Sequence, residues 1–367
     1  MDIREIDEKL SAIVRGMDFY SLLTPVNREE EEKNFFENFK KSREYNPVFR
    51  YRQKDLSAEK EWLKNAEGLP DKKSPAHCLL KNKIGFVLEQ IRFLECGDNL
   101  IKDASIKLYG IPEKAHFDEA LNILADTACA GQFFPEEDVT PGQMADELRA
   151  GLISRGIDWE VVLTEKIVPK ITVSGKDRTI YINSAINYTQ AEILRLMTHE
   201  LDVHVLRGVN GTAQPFRIFV EGLAGYTETE EGLAVFAEEV SGCLETDIRQ
   251  KKIYAGRALA AYYCMDESFY GVFKALTVFF PDYLAYRITE RTKRGLRDTS
   301  VKGGITKGFH YISGLEKVRA YVERGGDLSI LYVGKIGLSH IEPVAELLAD
   351  GILKPPRYLP GFLRAAR

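Results

Sequence analysis

The segment at residues 197–211, with the sequence MTHELDVHVLRGVNG, constrains the fold of this chain most. It places His199, Glu200 and His204 within six residues. Two imidazoles and a carboxylate at this density predict a metal site with a general base beside it. On an ideal α-helix, a five-residue spacing turns His204 about 140° away from His199, so the two rings would not reach one metal ion. The spacing therefore predicts that the helix is widened by a π-bulge, or ends, between the histidines.

This pattern is one residue longer than HExxH, the signature of zinc metallopeptidases, whose histidines lie four residues apart and face one metal. The chain contains six histidines, so a chance HExxxH pattern that binds no metal is the alternative interpretation. A catalytic zinc also needs a third protein ligand and keeps one position for water. The third ligand is expected on another element shortly downstream.

The next predicted helix is TETEEGLAVFAEEVSGCL, at residues 227–244, and it supplies the candidates for that ligand. Glu231 precedes an apolar run, and Gly232 beside it would allow close approach of another backbone. Glu228 and Glu230 are interpreted as carboxylates that face the helix dipole. For Glu231, composition does not decide between a metal ligand and a carboxylate that faces the helix dipole.

Composition excludes several classes of protein. The chain has 367 residues and a net charge of −5, so no basic excess points to nucleic acid or to a membrane as a partner. Its five cysteines are scattered and never form a CxxC pair, which argues against a disulfide scaffold and a thiolate zinc site. The N-terminus has no apolar signal region, and no apolar run approaches a membrane span. We therefore expect a cytoplasmic protein; its oligomeric state stays open.

The order of predicted elements indicates an α+β fold. Residues 1–155 are predicted to form a helical N-terminal region, and residues 156–367 a zincin-like catalytic domain with a small sheet, the two packed as one unit. Strands are predicted in WEVVLTEK, from Trp159, and in a hairpin at residues 170–183. Thr189 and Glu192 form a capping box that opens the helix with the histidines, and Asn210 and Gly211 predict its end. In the zincins, strands are likewise followed by a histidine-bearing helix and then by another helix.

The run HELDVHVLRGVNGTAQPF, followed by GLAGYTETEEGLAVFAEE, resembles the QEGLA-motif family. The characterised eukaryotic members of that family are microtubule-associated tyrosine carboxypeptidases. The shared features are HExxxH, an NG-x-x-QP segment that begins at Asn210, the GLAGY segment at residues 222–226, and the QEGLA box. The chain departs from the family in one position of that box, where Glu230 replaces Gln. The resemblance is good from about residue 155 onwards and weaker in the helical N-terminal part.

The resemblance implies that His199, His204 and Glu231 bind one Zn²⁺ per chain and that Glu200 is the catalytic base. It implies a zinc metallocarboxypeptidase that removes the C-terminal residue of a peptide or protein. The alternative is a non-catalytic regulatory or binding protein on the same scaffold, which would tend to lose one of these four groups. Asp202, inside the motif, either accepts a hydrogen bond from a histidine N–H or faces solvent.

Further candidates follow from the chemistry of a carboxypeptidase. The oxyanion needs a hydrogen-bond donor, and the terminal carboxylate of the substrate needs a cation. The candidate donors are Tyr226, His310 and Tyr311. The candidate cations are Arg217, Arg294 and Lys307. The substrate and its preferred C-terminal residue stay open.

Overall fold

The computed structural model describes residues 2–68, 74–125, 137–175 and 177–364, and it has the predicted α+β composition, with many helices and one small sheet. The helices before the sheet are α1 (Ile3–Met17), α2 (Phe19–Leu22), α3 (Arg28–Lys40), α4 (Ser57–Glu67), α5 (Pro75–Glu95), α6 (Ile101–Tyr109), α7 (Lys114–Ala125) and α8 (Pro141–Ser154). The strands are β1 (Glu160–Thr164), β2 (Ile171–Ser174) and β3 (Thr179–Asn183). The helices after it are α9 (Gln190–Leu196), a π-helix (Met197–Val205), α10 (Leu206–Thr212), α11 (Ile218–Glu221), α12 (Thr227–Val240), α13 (Cys243–Thr246), α14 (Ile248–Tyr263), α15 (Phe269–Leu276), α16 (Asp282–Lys293), α17 (His310–Glu323), α18 (Ile341–Ala349) and α19 (Gly361–Arg364).

The sheet has the strand order β1-β3-β2, with β3 in the centre. The predicted hairpin is confirmed, since β2 pairs antiparallel with β3 in a register that sets Ile171 opposite Ile182. Residue 176 of its turn lies outside the described residues. β1 pairs parallel with β3, so the sheet is mixed. Ile180 and Ile182 of β3 are fully buried, which anchors the sheet in the core.

The capping box that opens the histidine-bearing helix is present as predicted. The backbone N–H of Glu192 donates to the Thr189 hydroxyl oxygen over 3.1 Å, and the Thr189 N–H donates to the Glu192 carboxylate over 3.0 Å. The helix then runs through α9, the π-helix and α10 to Thr212, one residue beyond the predicted stop. The Asn210 side chain binds the backbone of Arg357 and Tyr358, so it fastens the end of α10 to the C-terminal segment.

α12 lies between the π-helix and α17 and packs against both. Gly232 of α12 faces Gly314 of α17 so closely that a Cβ on Gly232 would lie 2.0 Å from the Gly314 carbonyl carbon. The close backbone approach predicted at Gly232 is therefore confirmed. Because Gly232 follows Glu231 directly, this contact fixes the depth at which Glu231 sits.

One large hydrophobic cluster joins the two halves of the chain. It contains Leu10 of α1, Ile91 of α5, Ile180 of β3 and Leu353 near the C-terminus. A second cluster lies mainly among α14, α15 and α16 and includes Phe273. The domain boundary near residue 155 stays a prediction. Among the described residues, every helix is too short or too polar to cross a membrane.

Candidate active site

The π-helix brings His199 and His204 to the same side of the chain. A π-helix hydrogen-bonds over five residues instead of four, so it accommodates the extra residue between the histidines. The centroids of the two imidazole rings lie 5.0 Å apart. The predicted widening of the helix is therefore confirmed.

Glu231 reaches the two histidines from α12. Its Oε2 lies 4.0 Å from Nε2 of His199, and one potential ligand atom from each of His199, His204 and Glu231 lies within 4.8 Å of the others. Two imidazoles and one carboxylate form a donor set typical of catalytic zinc sites. The widest of these separations exceeds that between the ligands of a tetrahedral zinc, so the side chains would have to draw together on binding.

His199 is held by a buried carboxylate on its other ring nitrogen. Its Nδ1 lies 2.9 Å from Oε1 of Glu238, which also accepts from the Tyr254 hydroxyl over 3.0 Å and lies 3.4 Å from Arg195. Burial acts to lower the pKa of His199, but Glu238, Glu200 and Glu231 together outweigh it and raise that pKa. With Nδ1 directed at Glu238, the Nε2 of His199 faces His204 and Glu231, as a metal ligand requires.

His204 has a corresponding partner in Glu230. Its Nδ1 lies 3.3 Å from Oε1 of Glu230, and the same oxygen lies 3.6 Å from Nη1 of Arg207. Arg207 is fully buried and donates to the carbonyl oxygens of Leu331 and Gly334. Burial acts to raise the pKa of Glu230, but Lys335, His204 and Arg207 hold it well below its usual range. Glu230 lies in the first turn of α12, as the sequence suggested, and it is also a buried, charged partner of His204.

The two oxygens of Glu231 serve different partners. Oε1 accepts from Nζ of Lys307 over 3.0 Å, which leaves Oε2 for the histidines. Burial acts to raise the pKa of Glu231, but Lys307 and the two histidines hold it well below its usual range. Glu231 is therefore an ionised carboxylate, the form in which a carboxylate binds metal.

These groups line one cleft of about 900 Å³. Glu200 lines it beside His199, and so do Arg294, Lys307 and Tyr311 among the candidates from the sequence. Arg294 lies 3.2 Å from Glu290, so its charge is already paired.

The remaining candidates lie outside the cleft lining. Arg217 is half-exposed and lies 3.9 Å from Glu8. The Nε2 of His310 is 2.8 Å from the carbonyl oxygen of Tyr109, a buried contact. The ring of Tyr226 packs on the backbone of Gly222, where a Cβ would lie 2.1 Å from it. Asp202 binds Arg155 over 2.7 Å, and the carboxylates that face the histidines are Glu238 and Glu230.

Four residues of the site are not among the candidates from the sequence: Glu238, Tyr254, Arg257 and Arg291. Glu238 follows Glu231 by seven residues, which places both on one face of a helix, so this spacing was a usable signal. The other three reach the cleft from α14 and α16. No local pattern marks them, because only the tertiary packing of those helices brings them to the histidines.

Comparison with known proteins identifies a family whose sequences match this region of the chain. The family model for microtubule-associated tyrosine carboxypeptidases matches residues 33–367. A mouse protein named putative tyrosine carboxypeptidase MATCAP2 is 24% identical over 352 residues, which cover 92% of this chain and 58% of the relative. The human microtubule-associated tyrosine carboxypeptidase 1 is 24% identical over 356 residues, covering 93% of this chain and 64% of the relative.

The chain therefore spans about three fifths of the length of these curated relatives. The family match, in contrast, covers nearly all of the chain and includes the π-helix, α12 and α17. On this match, the chain belongs to the microtubule-associated tyrosine carboxypeptidase family.

Proposed function

We propose that the chain is a zinc-dependent metallocarboxypeptidase with a zincin-like catalytic region. The observation that carries the proposal is the convergence of His199, His204 and Glu231, with ligand atoms within 4.8 Å, beside Glu200 in one cleft. The names of the relatives support a carboxypeptidase, and we extend that activity to this chain as part of the proposal. The substrate would be the C-terminus of a peptide or protein.

The fit to zinc rests on the charge of Glu231 and on the direction of the two imidazoles. Glu231 is ionised, and His199 and His204 each direct one nitrogen at a carboxylate and the other towards the cluster. These three residues would hold one Zn²⁺ per chain and leave a position for water. Bound zinc would supply a water of lowered pKa and polarise the substrate carbonyl.

Glu200 would carry the proton through the reaction. It follows His199 directly and lines the cleft, but it is not one of the three converging ligands. Its carboxylate would accept a proton from the attacking water and pass it to the nitrogen of the leaving amine. Tyr311 lines the same cleft and is the remaining candidate donor for the oxyanion.

The test combines metal analysis with one substitution. Purified protein should contain about one zinc per chain, as single-site zincins do. Glu200→Gln should keep that zinc and lose release of the C-terminal amino acid from a peptide library with varied C-termini. Protein that neither contains nor takes up zinc would overturn the metal assignment, and an active Glu200→Gln variant would overturn the role of Glu200.

A further inference from the structure

Two arginine side chains in the cleft have no ion-pair partner within the described part of the chain. Arg257 of α14 and Arg291 of α16 line the cleft together with Glu200 and Glu231. Among the residues that the structure describes, neither guanidinium has a carboxylate within ion-pair distance or a hydrogen-bond acceptor. A guanidinium stays charged in a protein and offers five N–H donors, so such a side chain calls for an anion.

Three neighbouring arginines of the cleft are different, because each already has a carboxylate. Arg28 lies 2.8 Å from Glu290, and Arg294 lies 3.2 Å from the same residue. Arg195 lies 2.7 Å from Asp247, deeper in the wall. Arg249 and Lys335 also line the cleft without an ion pair among the described residues, so the lack of a partner alone does not select Arg257 and Arg291. What sets these two apart is their place near Glu231, whose charge opposes the effect of burial and acts to raise the pKa of both guanidinium groups.

Arg257 is held in place by aromatic rings that lead to the histidines. Its guanidinium carbon lies 4.9 Å from the ring centroid of Tyr311 and 5.7 Å from that of Tyr254. The two tyrosine rings stack at 4.6 Å, and the Tyr254 hydroxyl donates to Glu238, the carboxylate that holds His199. The guanidinium thus belongs to the same packed wall as the proposed metal ligands.

Three cations of the cleft, Arg257, Arg291 and Lys307, lie close enough to act on one another. Burial lowers the pKa of Arg257, and the nearby charge of Arg291 adds to that effect. Lys307 is a third cation, and its partner is Glu231. Since Glu231 already pairs with Lys307 and would also serve as the metal ligand, it is not available as an ion-pair partner for Arg257 and Arg291.

We propose that Arg257 and Arg291 bind the terminal carboxylate of the substrate, which would make the cleft specific for C-terminal residues. This assignment rests on the proposed function. One residue spans about 3.3–3.6 Å, so the carboxylate must be bound about one residue away from the scissile carbonyl. Paired guanidinium groups suit this task, because they donate parallel hydrogen bonds to both oxygens of a carboxylate.

Binding to the zinc-loaded Glu200→Gln protein tests the proposal without turnover. The probe is a fluorescein-labelled pentapeptide ending in tyrosine, prepared as the free acid and as the C-terminal amide. The parent protein should bind the acid about 10- to 100-fold more tightly than the amide, as expected for charged hydrogen bonds. Adding Arg291→Met or Arg257→Met should remove most of that preference by weakening only the acid, and Arg291→Lys should restore part of it.

The matched control is Arg287→Met, one helical turn before Arg291 on α16. Arg287 also lines the cleft, but it lies 3.2 Å from Glu32 and is paired. This control should keep the preference for the acid, and circular dichroism should show that all variants are folded. A parent protein without that preference, or arginine variants that keep it, would overturn the assignment. If the wild-type protein cleaves peptides, the proposed function stands whatever the binding result. If the Glu200→Gln protein prefers the acid but the wild-type protein does not cleave peptides, the result contradicts the proposed function and not the assignment of the two arginines.

Discussion

At the scale of single residues, each candidate ligand has its own partner behind it. Glu238 faces His199, Glu230 faces His204 and Lys307 faces Glu231. Such partners fix the orientation and tautomer of a ligand, and their loss typically costs 10- to 100-fold in metal affinity. The three candidate ligands are therefore backed by a second set of residues that orient them.

Substitution of Glu238 tests this arrangement. Glu238→Gln keeps the side-chain volume but removes the charge that His199, Tyr254 and Arg195 share. We expect zinc affinity to fall by about 10- to 100-fold, measured by competition with a chromophoric chelator. The matched control is Glu239→Gln, because Glu239 pairs with Arg319 on the outer side of α12. Equal zinc affinity in the Glu238 variant and the control would show that Glu238 does not position His199.

Residues also show how far the sequence predicts the site. The histidines, Glu200 and Glu231 lie in two short segments, where spacing and resemblance identify them. Arg257 and Arg291 are two of fifty lysines and arginines, and only the packing of α14 and α16 leaves them unpaired in the cleft. Arg217 had the right chemistry, but it lies beside Glu8, outside the cleft lining. Residue type alone does not reveal which cations lack a partner.

At the scale of elements, the site depends on how closely α12 approaches its neighbours. The π-helix positions the two histidines, and α12 places Glu231, Glu230 and Glu238 beside them. The contact between Gly232 and Gly314 allows that depth, since no side chain separates α12 from α17 there. The sequence predicted this contact because a glycine directly beside a candidate ligand suggests a close backbone approach.

Gly232→Ala should damage both stability and the site. The new Cβ would lie 2.0 Å from the Gly314 carbonyl carbon, so α12 must shift. We expect a loss of about 1–3 kcal/mol in the free energy of unfolding, as for other overpacked positions, measured by urea denaturation. Zinc affinity should fall as well, since Glu231 moves with α12.

The control for that helix is Gly16→Ala in α1. A Cβ on Gly16 would meet no atom within 4 Å, so alanine should leave stability unchanged or raise it by up to about 1 kcal/mol through helix propensity. A Gly232 variant as stable as this control would contradict the close packing of α12 and α17.

At the scale of the whole molecule, two histidines away from the metal cluster link stability to pH. His310 donates from Nε2 to the Tyr109 carbonyl oxygen, and His340 accepts at Nδ1 from the backbone N–H of Gly337. Both are buried, and burial lowers the pKa of each to about 4. Because a carbonyl only accepts, the Nε2 of His310 carries a proton, and with its pKa lowered to about 4 the ring is neutral at pH 7.

The sign of the effect follows from proton binding. In the unfolded chain both histidines titrate near about 6.5, so between that pH and about 4 the unfolded state binds protons that the folded state does not. Stability is therefore full above about pH 6.5 and falls as the pH is lowered through this window. Each histidine should contribute roughly 1–3 kcal/mol of that loss by pH 4.5. Urea midpoints of chelator-treated protein between pH 7 and 4.5 measure it, since zinc release would add its own pH dependence.

Single substitutions assign the loss to these two rings. His340→Gln keeps a side-chain acceptor near the Gly337 N–H but cannot take up a proton in the unfolded state, so it should lower stability at pH 7 only modestly and flatten the decline below pH 6.5. His310→Gln should flatten it by a similar amount, and the double variant should lose most of the slope above pH 4.5. The raised pKa of His199 does not cause a loss of stability in this window. Its contribution to the free energy of unfolding is fully present below about pH 6.5 and stays constant there. Variants that keep the wild-type slope would show that neither histidine stays neutral in the folded protein.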